Sequence, residues 1–291
     1  MLDEQEKQKK TLLYLGIAVI IVTLLTIIGS FFTKSENNQG NKGNANTEFK
    51  EVQEEQINLF AGAYMNSNNS FYEQSLVKPE QLTDEQKRLI SLLLIREFKT
   101  YQDSAMTDDG TGCQQLTLYI EEYEAILENY FGTGNVVSRT NANVNLKSVT
   151  NFEPAKMTYN TNDGTVTMTG DYMCYRNGGT TPLSQYVIYS TDYQQEGNIV
   201  TATVKYYYRQ RAGQTTNYIN YQYRLYENRG GVLFSLTFDN NGKDYGSGIS
   251  QEKEMISKYA DQLAGLKFTF ELRDDSYVQF KQVETVEPEV K

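Results

Sequence analysis

The sequence predicts an α+β domain that one N-terminal helix anchors to a membrane. Three observations support this prediction. Residues 12–32 form an apolar run without a charged side chain, and a helical period of three to four residues then extends from Phe49 to Phe131. From Asn145 onward the apolar period changes to two, which is typical of half-buried strands. Helices followed by long strands with short connections favour a meandering antiparallel sheet, with the helical part packed on one side.

The apolar run Leu12–Phe32 predicts a transmembrane helix. It contains 21 residues, close to the ~20 that an α-helix needs to cross a hydrocarbon core. It is too long for a cleaved signal peptide, and no small-residue cleavage pattern follows it. Lys7, Lys9 and Lys10 stand close before it, so the positive-inside rule favours a cytoplasmic N-terminus. We therefore expect a cytoplasmic tail over residues 1–11, an uncleaved signal anchor, and an extracellular C-terminal domain in a single-pass protein of the cell membrane.

The segment after the anchor predicts a spacer and two helices. Residues 33–47 are rich in asparagine and glycine and predict a flexible linker. A first helix is predicted over 49–64 and a second over 83–102. The second begins at a capping box, in which the Thr83 hydroxyl accepts from the Gln86 amide while the Gln86 side chain reaches back.

Two further helices are predicted on either side of the β-rich region. Apolar residues repeat at three and four over 116–131, and Gly132 ends that helix. The fourth helix is predicted over 251–263. Ser250 at its start belongs to an S-x-x-K sequence found in serine-nucleophile envelope enzymes. Because S-D-N and K-T-G sequences are absent, we interpret Ser250 as a helix N-cap.

The β-rich region predicts a series of strands joined by tight turns. Asn160–Gly164 is a hairpin signal. The extracytoplasmic domain is expected to cover 48–283, followed by a disordered acidic tail at 284–291. A split into a helical and a β module near residue 145 remains the alternative. The predicted strands are 166–174, 186–193, 199–211, 218–227, 232–239, 267–272 and 277–283.

Composition excludes several kinds of function. The chain has 27 basic and 37 acidic residues and no histidine. It has no basic stripe that would grip nucleic acid, and it lacks the commonest general base and zinc ligand. Two cysteines, Cys113 and Cys174, are too few for a zinc site, and outside the membrane they either form a disulfide or remain buried thiols. We therefore predict neither a metal site nor a cofactor.

Acidic side chains leave two further hypotheses. Asn160–Gly164, Asp108-Asp109 and Asp239–Gly242 each resemble part of a calcium loop, but none has the complete pattern, so we interpret them as turns. Glutamates on the third and fourth predicted helices would supply the carboxylate pair of an envelope hydrolase if two of them met in a cleft. These glutamates are Glu121, Glu122, Glu124, Glu252 and Glu254.

The tyrosine-rich strands offer a candidate interaction face. Tyrosine provides a large contact area with little loss of side-chain entropy, which suits an interface. The predicted face consists of Tyr206, Tyr208, Arg209, Tyr221 and Tyr223. An alternative with equal support is that these tyrosines cover the hydrophobic core.

Several sequence patterns resemble those of a known group of proteins. They are Tyr130-Phe131-Gly132, Cys174-Tyr175, and the C-terminal sequences at 267–270 and 274–280. Over about residues 115–283 they resemble small, uncharacterised, single-span surface proteins of low-GC Gram-positive bacteria and their wall-less relatives. The resemblance contains no catalytic motif and implies a cell-surface setting. The order of helices and sheet also looks like the cystatin-like or nuclear-transport-factor-two-like cone, at the level of fold alone.

Together these features predict a membrane-anchored, extracytoplasmic binding or scaffolding protein of the bacterial cell envelope. Its expected partners are the lipid bilayer and an envelope protein or polymer, and no motif indicates catalysis. One alternative is an envelope hydrolase that uses a carboxylate pair. Another is a subunit of a secretion or conjugation apparatus, because such machines use short-tailed, single-span subunits with external domains.

Overall fold

Four α-helices and twelve strands make up the part of the chain that the computed structural model describes. The predicted tail, transmembrane helix and linker lie outside it, as do both cysteines. Within the described part, no helix has the length and apolarity to cross a bilayer. The described residues are 49–67, 71–98, 106–108, 114–144, 155–169, 184–214, 218–225, 231–239, 245–273 and 277–287.

The elements alternate in a mixed order, and the α+β class is confirmed. The helices are α1 (Glu51–Ser67), α2 (Asp84–Phe98), α3 (Ile120–Phe131) and α4 (Tyr245–Ser257). The strands are β1 (Leu76–Val77), β2 (Met106–Asp108), β3 (Gln114–Tyr119), β4 (Ala142–Val144), β5 (Ala155–Asn160), β6 (Thr165–Thr169), β7 (Ser184–Glu196), β8 (Ile199–Gln214), β9 (Tyr218–Arg224), β10 (Val232–Asp239), β11 (Gly265–Leu272) and β12 (Val278–Val286).

The strands form two antiparallel sheets instead of the one predicted meander. The smaller sheet has the order β2-β3-β6-β5-β4. The larger sheet has the order β1-β12-β11-β8-β9-β10, with β7 paired to β8. The turn between β5 and β6 is the predicted hairpin: the Asn160 Oδ1 accepts from the Asn162 amide at 3.2 Å, and Gly164 has a φ of 65°, which glycine adopts without strain.

The long strand β8 belongs to two parts of the larger sheet. Along one edge it pairs with β7 for most of its length. Along the other edge, Ile199–Lys205 pairs with β11 and Tyr208–Gln214 pairs with β9. The sheet therefore forks near Tyr206, whose amide donates to the carbonyl of Ala264 just before β11.

Two hydrophobic cores lie on opposite faces of β8. Side chains alternate along a strand, so Val204 and Tyr206 enter the main core beneath α1 while Tyr207 enters a second core. The main core includes residues of α1, α2, α3 and both sheets. The second core lies between β8–β10 and α4, and its buried members are Val187, Tyr207, Ile219, Tyr221, Tyr223, Phe234, Leu236, Phe238, Ile256 and Leu263.

The capping box of α2 is confirmed. The Thr83 amide donates to the Gln86 Oε1 at 2.9 Å, and the Gln86 amide donates to the Thr83 Oγ1 at 3.2 Å. These bonds satisfy two backbone N–H groups that a helix start leaves without an intrahelical partner. The helix then turns Leu89, Ile90 and Leu94 into the main core.

Several predicted boundaries were wrong, and three of the differences change the interpretation of nearby residues. The third helix begins at Ile120 instead of 116, because Leu116 and Leu118 alternate into the main core from strand β3. The fourth helix begins at Tyr245, so Ser250 lies inside it and is not its N-cap. Residues 284–286, predicted to start a disordered tail, pair with β11 as part of β12.

Candidate functional site

The five residues of the predicted interaction face lie on opposite faces of the sheet. Tyr206 and Tyr208 enter the main core. Arg209 and Tyr223 are direct neighbours on β8 and β9 and face the other way, as does Tyr221. None of the four tyrosines is more than 6% exposed. The prediction of one exposed tyrosine face is therefore corrected: these rings cover the two cores.

Tyr206 and Tyr208 belong to an aromatic cluster that includes Phe71 and Tyr186. The Tyr206 ring centroid lies 5.3 Å from that of Phe71, and the Tyr208 centroid lies 4.8 Å from that of Tyr186. Tyr186 also meets Phe71 edge to face at 4.8 Å. Such tilted contacts are the arrangement that aromatic quadrupoles favour, so this set acts as packing.

A buried carboxylate organises the opposite face. Glu252 of α4 is 6% exposed and points toward β8 and β9. The Tyr207 hydroxyl donates to its Oε1, and the Tyr223 hydroxyl donates to its Oε2 at 3.0 Å. Arg209 Nη1 forms an ion pair with the same Oε2 at 3.3 Å. Two phenols and a guanidinium thus surround one carboxylate.

The electrostatics of this cluster keep both phenols protonated. Burial, and then the charge of Glu252, raises the pKa of Tyr207 well above its ordinary value. The same two causes, in the same order, raise the pKa of Tyr223. Each phenol therefore remains a hydrogen-bond donor. The Arg209 guanidinium also lies 5.4 Å from the centroid of the Tyr221 ring, within range of a cation–π contact.

This arrangement can fix a helix to a sheet. Breaking a buried ion pair is costly because it leaves one charge without its partner, so Glu252 holds α4 in one position over the second core. Among its hydrogen-bond and ion-pair contacts in the described residues there is no second carboxylate. We call Glu252, Tyr207, Arg209 and Tyr223 the carboxylate clamp.

The remaining candidate glutamates have separate surroundings. Glu124 accepts from Arg139 at 2.8 Å and 2.9 Å, and Glu121 is exposed on the first turn of the same helix. Glu254 is exposed and forms an ion pair with Lys258 at 3.6 Å. Glu122 is half-buried on α3. The described contacts therefore do not place any of these carboxylates beside Glu252.

A small surface pocket adjoins the start of α3. Its volume is about 270 Å³, just below the range of roughly 300–1,000 Å³ for ligand pockets. Tyr119 at its edge is 68% exposed. The pocket is lined by Tyr119, Ile120, Glu121, Arg139, Thr161 and Gly164.

The face of β8–β10 opposite the second core carries many polar side chains. On β9 the side chains that face away from α4 are Asn220, Gln222 and Arg224, and each is half-buried. Gln222 lies between Gln210 on β8 and Ser235 on β10, and Asn220 lies opposite Thr237 on β10, whereas Arg224 lies between Tyr208 and Val232. We call this surface the amide face, and it consists of Gln210, Asn220, Gln222, Arg224, Ser235 and Thr237.

Sequence reasoning missed both the carboxylate clamp and the amide face. The alternation of side chains along β8 could have corrected the predicted interaction face. Residues two apart on a strand share a face and adjacent residues do not, so Tyr208 and Arg209 could not belong to one surface. The clamp had a weaker signal. A buried glutamate is uncommon, and only the packing of α4 shows that Glu252, and not Glu254, points inward.

Metal binding and similarity to known proteins give no further indication of function. Among the described residues, no group of three acidic, cysteine or histidine side chains is arranged to hold a metal ion. Comparisons of the chain with protein-family models, curated proteins and solved structures found no match. Cys113 and Cys174, for which a disulfide and buried thiols were the two alternatives, lie outside the described residues.

Proposed function

We propose that this chain is a membrane-anchored, extracytoplasmic binding or scaffolding protein of the bacterial cell envelope. The observation that carries the proposal is the apolar run Leu12–Phe32, which a polar stretch and a folded α+β domain follow. A run of this length suits one crossing of the bilayer. The lysines before it favour a cytoplasmic N-terminus, which places the domain outside the cell.

The domain has features that support a binding or scaffolding role. Helix α1 packs on one face of the larger sheet over the main core, and α4 packs on the opposite face over β8–β10. The face of β8–β10 away from α4 is the amide face, whose residues on β9 are half-buried. Helix α1 packs against β7 and β12, and irregular pairings interrupt several of the long strands; such bulges bend strands. These features support the cystatin-like or nuclear-transport-factor-two-like arrangement as part of the proposal.

The test of the anchor uses the full-length protein in a Gram-positive host. After a carbonate wash, the wild-type chain is expected in the membrane pellet. A variant with Ile20→Lys and Ile21→Lys is expected in the supernatant, because each central lysine costs about 3 kcal/mol on insertion scales. The matched control, Ile20→Leu with Ile21→Leu, keeps the run apolar and stays in the pellet.

The test of orientation uses protease added to intact protoplasts. The proposal expects digestion of the C-terminal domain without lysis of the cells. Full-length chain in the washed supernatant, or a domain that resists protease until the cells are lysed, would refute the proposed function.

A further inference from the structure

We propose that the amide face binds an uncharged polysaccharide, such as the glycan strand of a cell wall, and recognises it through its hydroxyl groups. This inference rests on the proposed function, because a wall glycan is available only to a domain outside the membrane. It names the class of ligand that the exposed side of β8–β10 would take.

The amide face is an array of polar groups on three paired strands. Gln210, Gln222 and Ser235 form one row across β8, β9 and β10, and Asn220 and Thr237 stand opposite each other in the next row. Neighbouring strands lie about 4.8 Å apart, and residues on one face repeat about every 6.6 Å along a strand. Within each row the side chains therefore stand at the spacing of a regular sheet, and a bulge between Arg211 and Gly213 separates the two rows on β8. Such a surface suits an extended chain better than a compact molecule.

The side chains match the hydrogen bonding of sugar hydroxyls. A hydroxyl both donates and accepts, and so does each asparagine or glutamine amide. The Ser235 and Thr237 side chains are exposed and the Gln222 side chain is half-buried, so a ligand hydroxyl can approach these donors and acceptors from solvent.

The two ends of β9 complete the surface. Tyr218 at one end shares the face with Asn220 and Gln222 and is 55% exposed. Its ring can pack against the C–H groups of a sugar ring. At the other end, Arg224 Nη2 donates to the Gln222 Oε1 at 2.9 Å, which orients the Gln222 amide. From Tyr218 to Arg224 the strand spans about 20 Å, which is room for several sugar units in line.

Charge decides between kinds of polymer. The chain carries a net charge of −10, so an anionic polymer would be repelled by the protein as a whole. The amide face contains Arg224, and Asp239 stands opposite Tyr218 in the register of β9 and β10, so the face offers an anionic polymer no surplus of positive charge. A protein partner would call for an apolar centre with several aromatic anchors, whereas this face has Tyr218 and the exposed Val232 at its ends and polar groups at its centre. An uncharged polysaccharide fits both facts.

The experiment measures sedimentation of the full-length chain, in detergent micelles, with insoluble peptidoglycan from which acid has stripped the anionic polymers. The wild-type protein is expected to sediment, and chitotetraose, an uncharged sugar chain without peptide, is expected to displace it. Gln222→Ala and Tyr218→Ala should each raise the half-saturating amount of peptidoglycan about tenfold, which is the effect of losing one ordinary interaction.

Two matched variants serve as controls. Tyr119→Ala removes a comparably exposed tyrosine from the smaller sheet, and Gln194→Ala removes an exposed glutamine from the opposite face of the larger sheet. Both should sediment like the wild-type protein. Because all four residues are partly or fully exposed, the thermal midpoint of each variant should match that of the wild type, which separates lost binding from lost folding.

Several results would overturn the inference. The first two are equal sedimentation of all the variants and loss of sedimentation once the anionic polymers have been stripped. The others are displacement by a free stem peptide but not by chitotetraose, and an effect of Tyr119→Ala without an effect of Tyr218→Ala. The experiment in detergent does not depend on topology. A chain that is membrane-bound and external but does not sediment would refute this inference and leave the proposed function, whereas a chain found in the washed supernatant would refute the proposed function.

Discussion

The two hydrophobic cores share strand β8 but are stabilised differently. In the main core, Phe60 is fully buried, and its ring centroid lies within 6.3 Å of those of four other phenylalanines. In the second core, Phe234, Leu236 and Phe238 each remain 8–9% exposed, and a charged cluster fixes the covering helix. The comparison shows that a large apolar core fixes its helices by packing, whereas a small core at the end of a sheet depends on polar contacts.

The difference has a consequence for binding. The amide face and the second core lie on opposite faces of the same strands, β8–β10. A ligand that binds this face therefore contacts the less well packed part of the domain. We expect changes in the carboxylate clamp to reach the amide face, and changes in the main core to act on the whole fold.

The largest effect is expected in the main core. Phe60→Ala removes a ring that touches Phe131, Phe268, Phe270 and Phe280, and it should lower the free energy of unfolding by about 3–5 kcal/mol. Urea unfolding followed by circular dichroism measures this loss. Val52→Ala, on the exposed side of the same helix, is the control and should change it by less than about 0.5 kcal/mol. A loss below about 2 kcal/mol for Phe60→Ala would contradict the stronger packing of the main core.

The next effect is expected in the carboxylate clamp. Glu252→Gln removes the charge that pairs with Arg209 and should cost about 3 kcal/mol, since a buried ion pair is broken on one side. Hydrogen exchange should rise in α4 and β8–β10 while α1 and α2 stay protected. Glu254→Gln, two residues away and exposed, should leave both measurements unchanged. Equal exchange in all helices would mean that the two cores open as one unit.

The phenols of the second core provide a third test through pH. Burial and the charge of Glu252 raise the pKa of Tyr207 and Tyr223 above the ordinary value of about 10. Above that pH the unfolded chain loses these protons before the folded one does. The stabilisation is therefore complete below about pH 10 and declines as the pH rises further.

The measurement is urea unfolding at pH 9 and at pH 11. In Tyr207→Phe, one of the two phenols no longer titrates, so the decline in the free energy of unfolding should be shallower by up to about 1.4 kcal/mol per pH unit. In Val52→Ala, which changes no ionisable group, the free energy of unfolding should decline as steeply as in the wild type. If the free energy of unfolding declined with pH equally in the wild type and in Tyr207→Phe, the raised pKa of the Tyr207 phenol would be contradicted.

The smallest effect is expected at the start of α2. Thr83→Ala removes the hydroxyl that accepts from the Gln86 amide in the capping box and should lower the free energy of unfolding by about 1 kcal/mol. Because α2 belongs to the main core, the loss should appear as a lower urea midpoint for the whole domain. Gln86→Ala should lower it by a similar amount, and the double variant by less than the sum, because the two side chains act together.

How much of this could be predicted from the sequence depends on how local the signals are. The cap at Thr83 and the turn at Asn160 depend on residues within four positions, and both were predicted correctly. Strand β10 was predicted with its observed bounds because Phe234–Asp239 alternates strictly between apolar and polar residues. The start of α3 was misplaced because Leu116 fits a helical spacing as well as an alternating one, and pairing with β6 decides in favour of a strand.

The site depends on contacts that no local pattern encodes. Which face of β8 is covered changes near Tyr206, because β11 pairs with its first half and β9 with its second. Alternation puts Tyr206 and Tyr207 on opposite faces in any case, but the exchange of partners brings in β9, whose Tyr221 and Tyr223 help to form the second core on the face of Tyr207. Glu252 is likewise indistinguishable from Glu254 until the position of α4 on the sheet is known.

The central claim is that the folded domain lies outside the cell on a single membrane anchor. The most direct measurement is labelling of intact protoplasts with a membrane-impermeant amine reagent, followed by peptide mass spectrometry. We predict modification of Lys156 and Lys267, which are exposed on the domain, and protection of Lys7, Lys9 and Lys10 until the cells are lysed. Modification of the N-terminal lysines in intact cells, or protection of Lys156 and Lys267, would contradict the account.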